Sequence, residues 1–430
     1  MSNSTIDARR VAAISCGVGF ATQIYAVRAE NAEIWDADDK RYIDFGAGVA
    51  VVNTGHRHPK VVAAVKAQLD CFTHTCHQVV PYESYVHLAE RLNEIVPGEF
   101  SKKTIFVTTG AEATENAVKI ARAATNRSAV IAFTGSFHGR TYMSLSLTGK
   151  VAPYKVGFGP MMPDVFHVPF PVELYDISVG AALRALDDLF KSDLDPSRVA
   201  AFIIEPVQGE GGFNEAPRAF MKELRSIADQ HGIVLIADEV QTGFARTGRM
   251  FAMERLGVVA DLTALAKGLG GGLPIAAVTG RAELMDAPSA GGLGGTFCGN
   301  PIGIAAAHAV LDVIAEERLC ERAEALGSRL KQHLQSLVDV VPQIAEIRGP
   351  GLMVAVEFNK PGKKAPHPEF SNKVRQRALQ KGLIVLPCGL YNNCLRFSAP
   401  LTVGDDVFSE GLDIIDESLR ECASEELAVS

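Results

Sequence analysis

The chain has no surplus of positive charge: 42 lysines and arginines face 50 aspartates and glutamates, a formal net charge of −8 over 430 residues. A role that depends on neutralising phosphates, on nucleic acid or at an anionic membrane, is therefore not expected, although one or two local cations suffice for a small anionic substrate. No uninterrupted apolar run is long enough to span a bilayer. No apolar h-region follows the polar stretch Met1 to Arg10, so a secretory signal is not expected either. The eight cysteines are scattered, which is the usage of a reduced, cytoplasmic protein rather than of a disulfide framework. Low-complexity linkers and internal repeats are also missing.

Several catalytic signatures are absent as well. There is no H-E-x-x-H and no G-x-S-x-G nucleophile elbow. A Walker A loop fails, because Gly149–Lys150 is followed by Val151 and Ser144 stands where its first glycine belongs. The Gly268–Gly272 loop does not follow a strand in the Rossmann manner. The run Cys71-Phe-Thr-His74-Thr-Cys76-His77 matches no common zinc spacing, so no metal is expected. His56 and His58 read as turn or hydrogen-bonding residues.

What remains is an ordinary globular composition, 47% hydrophobic and 21% charged. Short apolar runs alternate with helical patterns, which predicts an α/β fold with a mostly parallel sheet. Strands are expected at Thr104–Thr108, Ala129–Phe133, Ala200–Glu205 and Ile233–Glu239. One helix should run from Gly110 to about Ala124, and another from Pro217 to Gln230, stopped by Gly232. Near the N-terminus, Glu33–Phe45 reads as an antiparallel pair around the turn Asp38–Asp39–Lys40. Beyond Leu319 two amphipathic helices are expected, then Gly351–Phe358, a helix near Ser371–Lys381, and strands near Leu383–Pro387 and Leu395–Ser398. The division expected is a large domain over 61–319 and a smaller α+β domain built from 1–60 and 320–430.

Five segments carry chemistry. Ile233-Val-Leu-Ile-Ala-Asp238-Glu-Val-Gln-Thr-Gly243 is a buried strand that delivers an acid at its carboxyl end, where open α/β sheets bind ligands. Thr263-Ala-Leu-Ala-Lys267-Gly268 sets a lysine among apolar neighbours, which lowers its pKa and favours the neutral amine that Schiff-base chemistry needs. Pyridoxal 5'-phosphate (PLP) chemistry requires such an amine together with an acid at the pyridine nitrogen. Taken singly, a surface lysine and a strand-end aspartate explain these residues equally well. Thr108-Thr-Gly110-Ala111-Glu112-Ala113 joins a strand to a helix, and its free N–H groups suit a phosphate. Phe133-Thr-Gly135-Ser-Phe137-His138-Gly139-Arg140-Thr141 places an aromatic and a histidine on a loop that a planar ring could stack on. Ile204-Glu205-Pro-Val-Gln-Gly-Glu210-Gly-Gly212 sets two carboxylates and mobile glycines at another strand end.

Taken together these phrases resemble a fold-type I, class III (ω-amino) aminotransferase, and are similar to bacterial 4-aminobutyrate aminotransferases. Supporting phrases run almost end to end: Arg28-Ala-Glu-Asn31, Asn53-Thr-Gly-His56, His74-Thr-Cys76, Glu115-Asn-Ala-Val-Lys-Ile-Ala-Arg-Ala-Ala124 and Gly291-Gly-Leu-Gly-Gly-Thr296. The resemblance implies that Lys267 holds PLP, with Asp238 at the pyridinium nitrogen. Val240 would pack on one ring face and Phe137 on the other, where many relatives carry tyrosine. Gln241 would contact the ring hydroxyl, with His138 and Glu205 in the polar surroundings of the cofactor. Gly110 and Ala111 would bind the phosphate, joined by Thr296 of the partner subunit, which implies a homodimer at minimum, with a homotetramer left open.

For substrates, the resemblance implies that Arg140 binds the distal carboxylate and Arg396, in Asn393-Cys-Leu-Arg-Phe-Ser398, the α-carboxylate of 2-oxoglutarate or glutamate. Val49 would line the substrate pocket. When 4-aminobutyrate is bound Arg396 has no substrate partner, and Glu210 would pair with it; a permanent structural ion pair is the alternative. The expected reaction is ping-pong transfer from 4-aminobutyrate to 2-oxoglutarate. 5-Aminovalerate or another ω-amino acid is the alternative donor, and a PLP-dependent decarboxylase or racemase the alternative chemistry. A dinucleotide-binding or non-catalytic protein is a further rival, opposed by Lys267 and Asp238.

Overall fold

A computed structural model describes residues 1–428. Its centre is a seven-stranded sheet. In spatial order the strands are Lys102–Val107, Ala276–Arg281, Leu262–Leu265, Val234–Asp238, Val199–Ile204, Ala129–Phe133 and Val165–Val168. All neighbours pair in parallel except Ala276–Arg281, which runs against both of its own neighbours. Lys102–Val107 therefore points the same way as the other five, and six strands deliver their carboxyl ends to one edge.

The sequence explains why this sheet is central. Ala129–Phe133, Val199–Ile204 and Val234–Asp238 are buried at every position, as expected for parallel strands covered on both faces. Their side chains divide by alternation. Ile131, Phe133, Phe202, Ile204 and Leu235 pack with residues of the helices Val179–Ser192 and Arg218–His231. Val130, Ala132, Ala201, Ile203, Val234 and Ile236 pack on the opposite face with the helix Gly110–Thr125. Gly232 ends Arg218–His231 in the left-handed conformation, φ 62°, as its position after the last periodic residue predicts.

The two ends of the chain meet in smaller sheets. Ala26–Glu30, Glu33–Asp36 and Arg41–Asp44 form an antiparallel set, and Leu383–Ile384 adds in parallel beside Arg41–Asp44. A second, antiparallel sheet has the order Ile344–Arg348, Val354–Phe358, Cys394–Phe397, Leu386–Cys388.

One expectation is corrected. Between Leu319 and Gly351 there is a single helix, Leu319–Gln335, rather than two. The apolar spacing continues through Leu337 and Val341, both buried, but the backbone there makes isolated turns before Pro342. A proline biases the residue before it away from helical geometry, and the buried side chains already satisfy the core without a second helix. The antiparallel strand Ala276–Arg281 was not foreseen, because Ala-Ala-Val-Thr-Gly-Arg offers little β-branched signal.

Candidate active site

The edge that receives the strand ends is where the expected residues converge. Asp238 closes its strand, Lys267 lies two residues past Leu265, Glu205 follows Ile204, and the Thr134–Arg140 loop follows Phe133. They open on a cavity of about 560 Å³. Gly110, Ala111, Phe137, His138, Arg140, Glu205, Asp238, Val240, Gln241 and Lys267 all line it.

Lys267 begins a short 3₁₀ turn, Lys267–Gly270, with φ 42°. A non-glycine residue in the left-handed region is strained, and such strain persists where surrounding structure fixes a side chain for use. Burial holds its amine below the usual lysine range. Arg396 adds to that, while Glu210, Glu205 and Asp238 oppose it.

Asp238 is 3% exposed and doubly held. Its Oδ2 lies 2.7 Å from His138 Nδ1, and its Oδ1 accepts from the Val240 N–H at 3.0 Å. With its proton on Nδ1, His138 orients the carboxylate. Glu205 accepts the Phe137 N–H and the Gly209 N–H, each at 2.8 Å, and so fixes the loop that carries Phe137. Burial pushes the Glu205 carboxyl up to about 7, against the opposing pull of His138 and with Asp238 adding to the rise.

At the start of Gly110–Thr125 a capping box is complete. The Glu112 N–H donates to Thr109 Oγ1, and the Glu112 carboxylate accepts from the Thr109 N–H. Among the described residues this leaves the Gly110 and Ala111 N–H groups without a protein acceptor. A Cβ on Gly110 would come within 2.8 Å of Val240 Cγ1, so only glycine lets the helix start this close to the pocket floor.

Glu210 and Arg396 lie beside this cavity rather than among its lining, and are joined at 2.6 Å. Arg396 comes from the strand Cys394–Phe397 of the second small sheet, and Glu210 from the loop after Val207–Gln208. Burial alone would raise the Glu210 carboxyl, but Arg396, Lys267 and a hydrogen bond from Tyr154 outweigh it and hold it below the usual range. Arg140 is different. It is exposed and, among the described residues, has no acidic partner.

Two expected residues are not gathered in. Val49 is 37% exposed and sits in a left-handed turn, φ 66°, while Val51 lines the cavity. Thr296 is exposed and outside this chain's pocket. Sequence reasoning missed Tyr154, which sits in a loop with no periodicity to mark it. Its ring centroid is 5.0 Å from that of Phe137.

A family model described as aminotransferase class-III matches residues 18–419. The chain belongs to the class III aminotransferases. This aminotransferase is 52% identical, over 98% of its length and 99% of the relative's, to the 5-aminovalerate aminotransferase DavT of Pseudomonas putida. It is 51% identical, over 98% and 99% of the two chains, to the 4-aminobutyrate aminotransferase GabT of Escherichia coli. Among solved structures, an (S)-enantioselective ω-transaminase from Thermomicrobium roseum superposes with a TM-score of 0.90 at 29% identity, covering 98% of this chain and 99% of the other. An ornithine aminotransferase from Toxoplasma gondii, described with partial occupancy of PLP at its active site, gives 0.86 at 30% identity, covering 98% and 95%.

PLP is the cofactor of this family, and the residues of the aminotransferase fit it. Two N–H groups at a helix N-terminus await an anion. The buried Gln241 Oε1 in the same cavity has no hydrogen-bond partner among the described residues. An oriented acid and an amine held below its usual pKa face the same space.

Proposed function

We propose that this aminotransferase moves an amino group from 4-aminobutyrate to 2-oxoglutarate, giving succinate semialdehyde and glutamate by a ping-pong cycle. The observation that carries the reading is the pairing of Arg396 with Glu210 at 2.6 Å beside an Arg140 that has no acidic partner among the described residues. One arginine is always open to a carboxylate. The other is masked by an internal carboxylate that a second substrate carboxylate can replace.

Lys267 Nζ would be the attachment point for PLP, the Gly110 and Ala111 N–H groups would hold its phosphate, and Gln241 would take its hydroxyl. When bound, PLP supplies an electron sink that acidifies the carbon bearing the substrate amine. Asp238, oriented by His138, would keep the pyridine nitrogen protonated, and Val240 and Phe137 would confine the ring. Lys267 Nζ, buried in the same cavity and held below its usual pKa, would be the base that takes up the proton lost from the substrate carbon. Its lowered pKa suits that task. Arg140 anchors the distal carboxylate, and Glu210 leaves Arg396 when the α-carboxylate of 2-oxoglutarate or glutamate arrives.

The exposure of Thr296, with Phe297 beside it 63% exposed, supports a homodimer in which each copy completes the other's phosphate site. A cytoplasmic location is supported by scattered free cysteines and by the lack, among the described residues, of any helix long and apolar enough to cross a membrane. A large domain over 61–319 is supported by the seven-stranded sheet lying within it, and a small domain from 1–60 and 320–430 by the pairing of Arg41–Asp44 with Leu383–Ile384.

A second donor has equal support. Identities of 52% to a 5-aminovalerate enzyme and 51% to a 4-aminobutyrate enzyme do not separate them. One methylene changes binding by only about 1–3 kcal/mol.

An absorbance spectrum of the PLP-loaded protein tests the reading. Loss of the lysine-bound cofactor's visible band on adding 4-aminobutyrate alone, and its return with 2-oxoglutarate, is expected. A band that responds to glutamate and ignores 4-aminobutyrate would move the donor elsewhere.

A further inference from the structure

Tyr154 belongs to none of the motifs read from the sequence, yet it touches three of the residues assigned to the site. Its hydroxyl donates to Glu210 Oε2 at 3.1 Å. The other oxygen of the same carboxylate, Oε1, accepts from Arg396 Nη1 at 2.6 Å. Its ring lies 5.0 Å from the Arg140 guanidinium carbon and packs against Phe137. One side chain thus contacts Arg140 directly and Arg396 through Glu210. Burial, with Glu210 adding to it, holds the phenol well above its usual pKa, so the hydroxyl keeps its proton and remains a donor.

We propose that Tyr154 is a positioning residue that latches Glu210 onto Arg396 and thereby sets the enzyme's preference between ω-amino acids and dicarboxylates. The inference rests on the two-arginine reading above and adds to it a residue that biases the switch. With one oxygen on Arg396 and the other on Tyr154, the carboxylate is anchored at both ends. A dicarboxylate that claims Arg396 must break both bonds, whereas a substrate with a single carboxylate on Arg140 leaves both intact. The stronger the latch, the more the site favours 4-aminobutyrate or 5-aminovalerate over glutamate.

The variant Tyr154→Phe tests this, because it removes the hydroxyl and keeps the ring beside Arg140 and Phe137. Glutarate binding to the PLP-loaded variant, followed by calorimetry, should tighten about tenfold, the lower end of what a hydrogen bond to a charged group is worth. The ratio of kcat/KM for glutamate to that for 4-aminobutyrate should rise by a similar factor. In a Glu210→Gln background the same change should move neither quantity. Glutarate affinity and substrate ratio within twofold of wild type, or weaker glutarate binding, would overturn the latch while leaving the two-arginine reading standing. So would an undiminished effect in the Glu210→Gln background, which would mean that Tyr154 acts without Glu210. A wild-type enzyme that responds to glutamate but to neither 4-aminobutyrate nor 5-aminovalerate would overturn that reading, and the latch with it.

Discussion

Replacing Glu210 by glutamine isolates the ion pair on which the two-substrate reading rests. The side chains of Glu210 and Arg396 are only 15% and 8% exposed, so solvent does little to screen the charge that would be left behind. Removing one partner of such a pair costs about 3–5 kcal/mol when nothing replaces it. A glutamine oxygen still accepts one hydrogen bond from Arg396, so the loss here should be about 2–3 kcal/mol. A dicarboxylate restores the missing charge, and in the variant it no longer has to displace Glu210. Its affinity should therefore rise between about 30-fold and about 140-fold, at 1.4 kcal/mol per factor of ten. The efficiency with 4-aminobutyrate should fall, because Arg396 would then face the substrate's apolar chain uncompensated. Rapid-mixing absorbance of each half-reaction, with thermal unfolding with and without glutarate, measures all of this. Constants for both substrates within twofold of wild type would refute the reversible pairing. A lowered unfolding temperature with an unchanged substrate preference would leave Glu210 and Arg396 as a fixed structural pair.

Arg140→Ala should lower kcat/KM for 4-aminobutyrate and for 2-oxoglutarate alike, by about tenfold to a hundredfold. The unfolding temperature should stay put, since Arg140 is exposed and has no ion pair among the described residues; intact 4-aminobutyrate kinetics would sink its assignment. Asp238→Asn removes the charge that His138 and the cofactor nitrogen share, and transamination measured in single-turnover assays should slow at least about a hundredfold. Glu205 titrates near 7 in the folded protein against an ordinary 4.5, so the folded state binds the proton more tightly than the unfolded one. Its contribution is complete below about 4.5 and is lost as pH climbs through about 7. Unfolding of the cofactor-free protein followed across that window should show a decline in stability, shared with Glu239, whose carboxyl burial also pushes up to about 7, that Glu205→Gln makes shallower. An equally steep decline in the variant would place the titration on another group.

Much of the architecture was legible because its signals are local. The continuous apolar runs of Ala129–Phe133 and Val234–Asp238 can be satisfied only by burial on both faces, so they announced a parallel sheet without any tertiary information. Gly232 and the Thr109–Glu112 box mark helix ends through hydrogen bonds within a single turn. The strand Ala276–Arg281 left no such mark, since its place is set by pairing with Lys102–Val107 and Leu262–Leu265 rather than by its own residues. The continuation past Gln335 misled for the converse reason: a helical apolar spacing was present, but the core used those side chains from turns.

By itself, the sequence determined the chemistry available: an amine among apolar neighbours at Lys267, an acid at the end of a buried strand at Asp238, and donors at the helix start near Gly110. These follow from residue type and strand-end position, which short-range physics controls. The resemblance anticipated a pairing of Arg396 with Glu210, but only the tertiary structure brings Arg396, on a strand near the C-terminus, to Glu210 across 186 residues of chain. It also decided that His138 braces Asp238, 100 residues away, and that Tyr154 stands between Arg140 and Glu210. Such contacts join segments remote in sequence, and they form only because the packed sheets bring those loops to one edge.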